Sequence, residues 1–144
     1  MARKDPLRNF RFRVEIDGIA VAGFSEVVIG PTTTGAIDYR EGTDSPHVRK
    51  LSGLTKFGNI TLKRGLTDSL DLYQWYKQIA TGQLAGNRRQ VVIVIADEAG
   101  ADRARFVVSE AWPVKYEASA LNATGNEVVI ETLELVNEGI ERVQ

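Results

Sequence analysis

The stretch Asn9–Asp17, NFRFRVEID, alternates without a fault: Phe10, Phe12, Val14 and Ile16 point one way, Arg11, Arg13, Glu15 and Asp17 the other. A period of two is the mark of a strand with one face on a core and one in water. The chain must therefore build a sheet with a covered face. Asp17-Gly18 supplies a tight-turn dipeptide, so Ile19–Ile29 is predicted to return as the second strand of a hairpin, with Gly23 marking a bulge.

Gly30-Pro31 breaks that strand, and a short extended run follows with Ile37 and Tyr39 opposite Asp38 and Arg40. From Glu41 to Gly58 the pattern dissolves into EGTDSPHVRKLSGLTKFG. A polar, glycine-punctuated stretch of that length predicts a long functional loop over about 41–58. Alternation resumes at Asn59–Arg64, where Ile60 and Leu62 oppose Thr61 and Lys63. One helix is predicted over about 68–81, because Leu72, Trp75, Tyr76 and Ile79 form a single apolar stripe and serve as its core anchors. Thr67 or Asp68 is expected to cap its start, and Gly82 to end it.

Gln90–Ala96 is apolar on both faces, as a buried strand is. The turn Asp97–Gly100 leads into Arg103–Glu117, where Pro113 demands a bend or an edge. NATGN (122–126) leads into Glu127–Asn137, whose apolar phase changes between Val128 and Ile130 on one side and Leu133 and Leu135 on the other. A bulge, or burial of both faces at different points, would account for the change. The expected fold is mainly β: a small antiparallel β-barrel or pair of sheets of about seven strands, one flanking α-helix and one long loop, in a single domain spanning 1–144.

Composition narrows the function. With 144 residues, 43% of them hydrophobic, the chain has enough apolar material for one sizeable core. A net charge of -1 gives no general drive toward nucleic acid or anionic membrane. The absence of cysteine excludes disulfides, thiolate metal sites and a cysteine nucleophile. MARKDPLRNF lacks the apolar core of a signal peptide, and the longest apolar run, Val91–Ala96, is too short to span a bilayer. Synthesis in the cytoplasm without membrane anchoring is expected.

No catalytic set emerges. Gly53 and Gly58 have the gap of a phosphate loop, but Asn59-Ile60 stands where Lys-Ser/Thr is required, and a strand follows instead of a helix. His47, beside Asp44 and Glu41, lacks both a nucleophile and metal-ligand spacing. Asp97-Glu98 reads as a solvated turn. Few aromatics interleave with Arg49, Lys50, Lys56, Lys63 and Arg64, so this basic set lacks the stacking platforms of a single-strand binder. An enzyme, a cofactor and a metal are therefore not expected. What the residues do offer is strand edges open to another chain. Head-to-tail contacts through such edges close into rings or run on as filaments.

Four segments carry a resemblance: DPLRNFRFRVEIDGIAVAGFSEV (5–27), YREGTDSPHVRKLSGLTKFGNITLKRGLTDSLDLYQWY (39–76), EAWPVKYEA (110–118) and LNATGNEVVIETLELVNEGIE (121–141). In this order they resemble the tail-tube protein family of contractile phage tails and phage-derived contractile injection systems, related to the type VI secretion tube protein. Val28–Ala36, VIGPTTTGA, departs from the family pattern, in which Ser-Gly-Leu is common at this point. The resemblance implies a structural subunit whose hexameric rings stack into a hollow rigid tube, driven through a target envelope when a surrounding sheath contracts. It implies as partners the chain itself, the contractile sheath protein, baseplate, spike and terminal tube proteins, and a cargo of protein or DNA in the lumen. It further implies that the loop reaches the adjacent ring, which makes Glu41, Asp44, His47, Arg49, Lys50, Leu51, Leu54 and Lys56 the expected inter-ring contacts. The competing reading is a monomeric β-barrel binding a ligand or carbohydrate through Trp112 and Tyr116.

Overall fold

The computed structural model describes residues 11–17, 23–40, 42, 48–125 and 128–144. Among them, nine strands and one helix follow in the order β1 (Phe12–Ile16), β2 (Glu26–Ile29), β3 (Thr32–Tyr39), β4 (Arg49–Phe57), β5 (Ile60–Gly65), α1 (Asp71–Ala80), β6 (Arg89–Ala96), β7 (Asp102–Ala118), β8 (Ile130–Val136) and β9 (Gly139–Arg142). All pairings are antiparallel.

The long strand β7 joins two sheets. Its first part, Asp102–Ala111, pairs with β6, which pairs in turn with β1. Its last part, Trp112–Ala118, pairs with β8, and the path continues through β5 to β2. β9 carries on the register of β8 along the same edge of β7, from Trp112↔Val136 to Ser109↔Gly139. Glu110, with a φ of 53°, sits where the ladder between β6 and β7 slips, and a second slip falls between Pro113 and Lys115. These irregularities bend β7 from one sheet into the other.

The core lies between the sheets and beneath the helix. Val14 and Ile16 of β1, Ile60 and Leu62 of β5, Val91 and Ile93 of β6, Val108 of β7, and Leu133 and Leu135 of β8 meet Leu72 and Trp75 of α1. Tyr76 and Ile79 pack against this cluster half-buried, and the Trp75 indole N–H donates to the Asn87 carbonyl at 2.7 Å. Val94, on the opposite face of β6, is also fully buried. Its register partners are Arg13 and Arg105, and Arg13 holds Asp102 in a two-point contact of 2.7 and 2.8 Å. Charged stems thus cover the outer apolar row of β6.

Four expectations need correction. The described strands number nine and not about seven, with β4 and β9 making up the difference. β1 and β2 are not hairpin partners: β1 pairs with β6, and β2 pairs with β5. Gly18 and residues 19–22 lie outside the described residues, so the expected turn and part of the expected strand do too. The long loop over 41–58 is, for Arg49–Phe57, the strand β4, paired with β3. The helix begins at Asp71, after Leu70, with no side-chain cap; the Thr67 hydroxyl instead accepts from the Ser69 N–H at 3.2 Å. Its end is as expected, with Gly82 at φ +91° and the Gly82 and Gln83 N–H groups donating back to Ile79 and Gln78.

The phase change in the last stretch has a chemical cause. β8 pairs with β5 without a break, and its buried positions are Glu131, Leu133 and Leu135. A carboxylate occupies a core-facing place, directly opposite Arg64, which occupies the matching place in β5.

Candidate assembly surfaces

The hairpin β3–β4 stands apart as an arm. Nearly all its residues are exposed on both faces, and among the described residues its strands pair only with each other. It prolongs the second sheet, since β2 leads into β3 through Gly30-Pro31 and β4 into β5 through Gly58-Asn59. At this joint the two glycines press together. A Cβ on Gly30 would lie 2.5 Å from the Asn59 oxygen, and one on Gly58 would lie 2.6 Å from Pro31 Cδ, so neither position admits a side chain. The Gly30 N–H donates to the Asn59 carbonyl at 3.0 Å, and the Gly58 N–H to the Pro31 carbonyl at 2.7 Å. Asn137, in the turn between β8 and β9, donates from Nδ2 to the Gly58 carbonyl at 3.0 Å and so ties the joint to the body.

Along the arm, register slips between Thr34 and Ala36, where two residues of β4 oppose one of β3. The extra residue brings Leu54 onto the face of Ile37 and Leu51, around a shallow concavity floored by Gly35 and Gly53. Lys50 pairs with Asp38 across the strands, and the Arg49 guanidinium lies 5.4 Å from the Tyr39 ring centre. Of the expected contact residues, Arg49, Lys50, Leu51, Leu54 and Lys56 all lie on β4. Glu41, Asp44 and His47 lie outside the described residues.

The second sheet runs β2-β5-β8-β7, and no described strand pairs with the outer edge of β2 or with the far edge of β7 beyond Ala111. Its outward face is a ladder of mostly polar rows, with Val28 the apolar member of the second. One row is Glu26, Lys63, Thr132 and Glu117; the next is Val28, Thr61, Glu134 and Lys115. Signs alternate within it, with Lys63 3.5 Å from Glu26 and Lys115 3.2 Å from Glu117.

Its inward face is pinned to α1 by a buried polar cluster. Arg64 and Glu131, each 2% exposed, form an ion pair through Nε and Oε1, while Arg64 Nη2 reaches Asp71 Oδ1 at 2.5 Å. The Tyr116 hydroxyl donates to Glu131 Oε2 at 2.7 Å. Burial works against the charge of Arg64, but its hydrogen bonds to Asp71 and Glu131 prevail and hold the guanidinium above its ordinary value. Burial likewise opposes the Asp71 charge, and hydrogen bonds from Arg64 and the Leu72 N–H hold that carboxyl below its usual range. Burial, then the bond to Glu131, pushes the Tyr116 phenol up to about 12. The Tyr116 ring also meets Tyr73 edge-on at 5.3 Å. Tyr116 is thus committed to internal packing, which leaves the ligand-module reading without one of its two aromatics. The only trace of this cluster in the sequence is the fault in apolar phase around Glu131.

The fold as a whole resembles that of several solved structures. The chain is similar to the tube-terminating cap of the anti-feeding prophage, at 26% identity and a TM-score of 0.83, covering 99% of this chain and 93% of that one. It is similar to the sheath/tube terminator of an extracellular contractile injection system in its extended state, at 24% identity and a TM-score of 0.84, covering 99% and 100%. A more distant likeness, at 16% identity and a TM-score of 0.61 over 93% and 95%, links it to Hcp1 from Flavobacterium johnsoniae. No curated protein matches the sequence. The model of the T4-like virus tail tube protein gp19 family matches residues 8–141, nearly the whole of a chain that also carries the mainly β two-sheet fold with its single described helix, and the chain belongs to that family as a structural tube subunit.

Proposed function

We propose that residues 1–144 act as one tube domain whose copies join edge to edge, β2 of one copy beside the end of β7 in the next, into a closed ring of six. The carrying observation is that the two ends of one sheet, β2 and Trp112–Ala118, both lack a described partner strand on their outer side. Such a contact is head-to-tail, and it closes when the rotation between copies permits. Main-chain bonds across it contribute about 0.5–1.5 kcal/mol each and need little side-chain specificity. Sixfold symmetry is supported by the symmetrised baseplate of the anti-feeding prophage, to which the chain is 22% identical.

In such a ring the polar ladder of the second sheet faces the lumen. Glu26, Glu117 and Glu134 stand against Lys63 and Lys115, three carboxylates to two ammonium groups, so the wall is hydrated and nearly balanced. Neither DNA nor a protein cargo meets a strong field or an apolar trap there. The opposite side of the subunit is left for a contractile sheath, a partner supported by likeness to a sheath-tube complex at 24% identity. Function on this reading is mechanical and not enzymatic: a stiff channel pushed through an envelope. The arm β3–β4 projects from the ring along the tube axis and reaches the next ring.

Proline substitutions on the two edges test the ring. The Gly30 N–H donates inward to Asn59, and the Ser119 N–H inward to Ile130, so alternation turns the N–H groups of Val27 and Ala118 outward. Val27→Pro and Ala118→Pro each remove one of these outer donors and leave the internal ladder intact. Both variants are expected to remain folded by circular dichroism while negative-stain images lose the rings and tubes formed by the parent. Parent protein that stays monomeric at high concentration, even with baseplate added as a nucleus, overturns the reading.

A further inference from the structure

The turn between β8 and β9, Asn137-Glu138, meets three parts of the chain that are far apart in sequence. Asn137 Nδ2 donates to the Gly58 carbonyl at 3.0 Å, at the joint of the arm. The Glu138 N–H donates to the Ser109 carbonyl at 3.0 Å, at the bend of β7. The Glu138 carboxylate lies 3.6 Å from Arg88 Nη1, in the connection between α1 and β6. Arg88 and Glu110 share the lining of one concavity with Leu84, Ala85 and Gly86, so the bend and that connection are neighbours as well.

Both places that the turn joins are constrained. At the bend, Ser109 and Glu110 stand opposite the single residue Gln90. Glu110 has a φ of 53°, in the left-handed region that a side chain enters at a cost. At the joint, Gly30 and Gly58 are pressed so close that neither admits a Cβ. The Asn137 carboxamide works in both directions between them: Nδ2 donates to Gly58, and Oδ1 accepts from the Gly139 N–H at 3.1 Å. One orientation of a planar amide satisfies both partners. The start of β9 and the root of the arm are therefore held at a fixed spacing.

We infer that Asn137 couples the bend of β7 to the joint of the arm, so that the direction of the arm follows the angle between the two sheets. The path from Glu110 through Ser109, Glu138 and Asn137 to Gly58 is unbroken, each step a covalent link or a hydrogen bond. Asn137 supplies its one side-chain step, which can be cut without touching the main chain. The joint has a second side-chain tie, from Asn59 Nδ2 to Glu134 Oε2, but at 3.3 Å it is longer and exposed, and it leads back into β8 and not to the bend. Asn137 is thus a positioning residue. The inference concerns a single chain and goes beyond the tube reading without depending on it.

Hydrogen exchange of the full chain, read at single amides, tests the coupling. Asn137→Asp keeps an acceptor for the Gly139 N–H and removes the donor to Gly58. The Gly30 and Gly58 amides, which close the joint, are expected to exchange about three- to tenfold faster, the effect of one lost hydrogen bond. Gly139 and the core amides of Leu62 and Leu133 should keep the parent rates. In Asn137→Ala the Gly139 amide is released too. Glu110→Gly relieves the bend without touching the joint. In the parent background it is expected to shift exchange at Gly30 and Gly58 about twofold or more, and in the Asn137→Asp background to leave them unchanged. Joint amides at the parent rate in Asn137→Asp overturn the inference. So does a Glu110→Gly shift that is absent in the parent or persists without the donor. Leu62 and Leu133 losing protection along with the joint would make Asn137 a support of the whole fold, and overturn it as well. All these outcomes leave the tube reading to its own test by imaging.

Discussion

The body and the arm of this molecule are built from the same antiparallel strands, yet they are held by different means. In β5 every second residue is buried, and Ile60 and Leu62 are fully enclosed. In β4 no residue is buried, although the two strands lead into each other through Gly58-Asn59. The body satisfies itself with a shared core and a buried ion pair. The arm has only its own ladder and surface pairs, and isolated two-stranded hairpins are marginal in water. One part of the chain therefore carries stability, and the other has contacts left over for a neighbour.

The largest effect that would test this division is expected at Arg64. Arg64→Met leaves Glu131 buried and Asp71 without its cation, a loss of about 3–5 kcal/mol in urea unfolding. Arg64→Met combined with Glu131→Leu removes both buried charges and is expected to recover much of that loss. If Arg64→Met unfolds like the parent, the cluster is not what holds α1 to the second sheet.

The same cluster sets the pH limits of the body. The Asp71 carboxyl is depressed in the fold, so its contribution is complete above the ordinary carboxylate value of about 3.9 and is lost as pH falls through the lower folded value. The Tyr116 phenol is raised, so its contribution is complete below its ordinary value near 10 and is lost as pH rises through about 12. Stability followed by tryptophan fluorescence should be flat between these limits with respect to this cluster. In Tyr116→Phe the alkaline loss should shrink.

A smaller effect is expected at the joint. Gly58→Ala drives a Cβ to 2.6 Å from Pro31 Cδ and 2.8 Å from Pro31 N, with backbone that must move to relieve it. The cost in melting stability is about 1–3 kcal/mol, the range for overpacking. Tube assembly should suffer more than this cost suggests, because the joint directs the arm. Tubes of normal length from a destabilised Gly58→Ala protein would show that the arm finds its seat without a fixed direction.

The division also explains what can be read in advance. β1, β5 and α1 are legible because one face of each meets the core and writes a period into the sequence, and β6 because it is apolar on both faces. β4 is not, since RKLSGLTKF has both faces in water and no burial to impose alternation. The hairpin expected of β1 and β2 fails for a different reason. A tight-turn dipeptide speaks only for its neighbours, whereas β1 is claimed by β6, whose core residues Val91 and Ile93 take their partners Ile16 and Val14 from far along the chain. The joint is half legible, as a strand break at Gly30-Pro31, but nothing marks Asn137 as the side chain that fastens it. The family is read from ordered motifs and not from any single pattern.

The smallest stability effect belongs to the arm itself, and it separates the two roles most sharply. Lys50 and Asp38 form an exposed cross-strand pair, with side chains 65% and 66% accessible. Such pairs contribute about 0–1 kcal/mol, less at high salt, so Lys50→Ala should leave the unfolding curve of the whole chain almost unchanged. Yet if the arm seats on a second copy, that ladder position lies beside Leu51 in the contact, and tube length should fall while monomer stability does not. Measuring both in one preparation decides the matter. Equal losses in each would make the arm part of the folding unit; a loss confined to assembly would make it a limb whose only purpose is the next subunit.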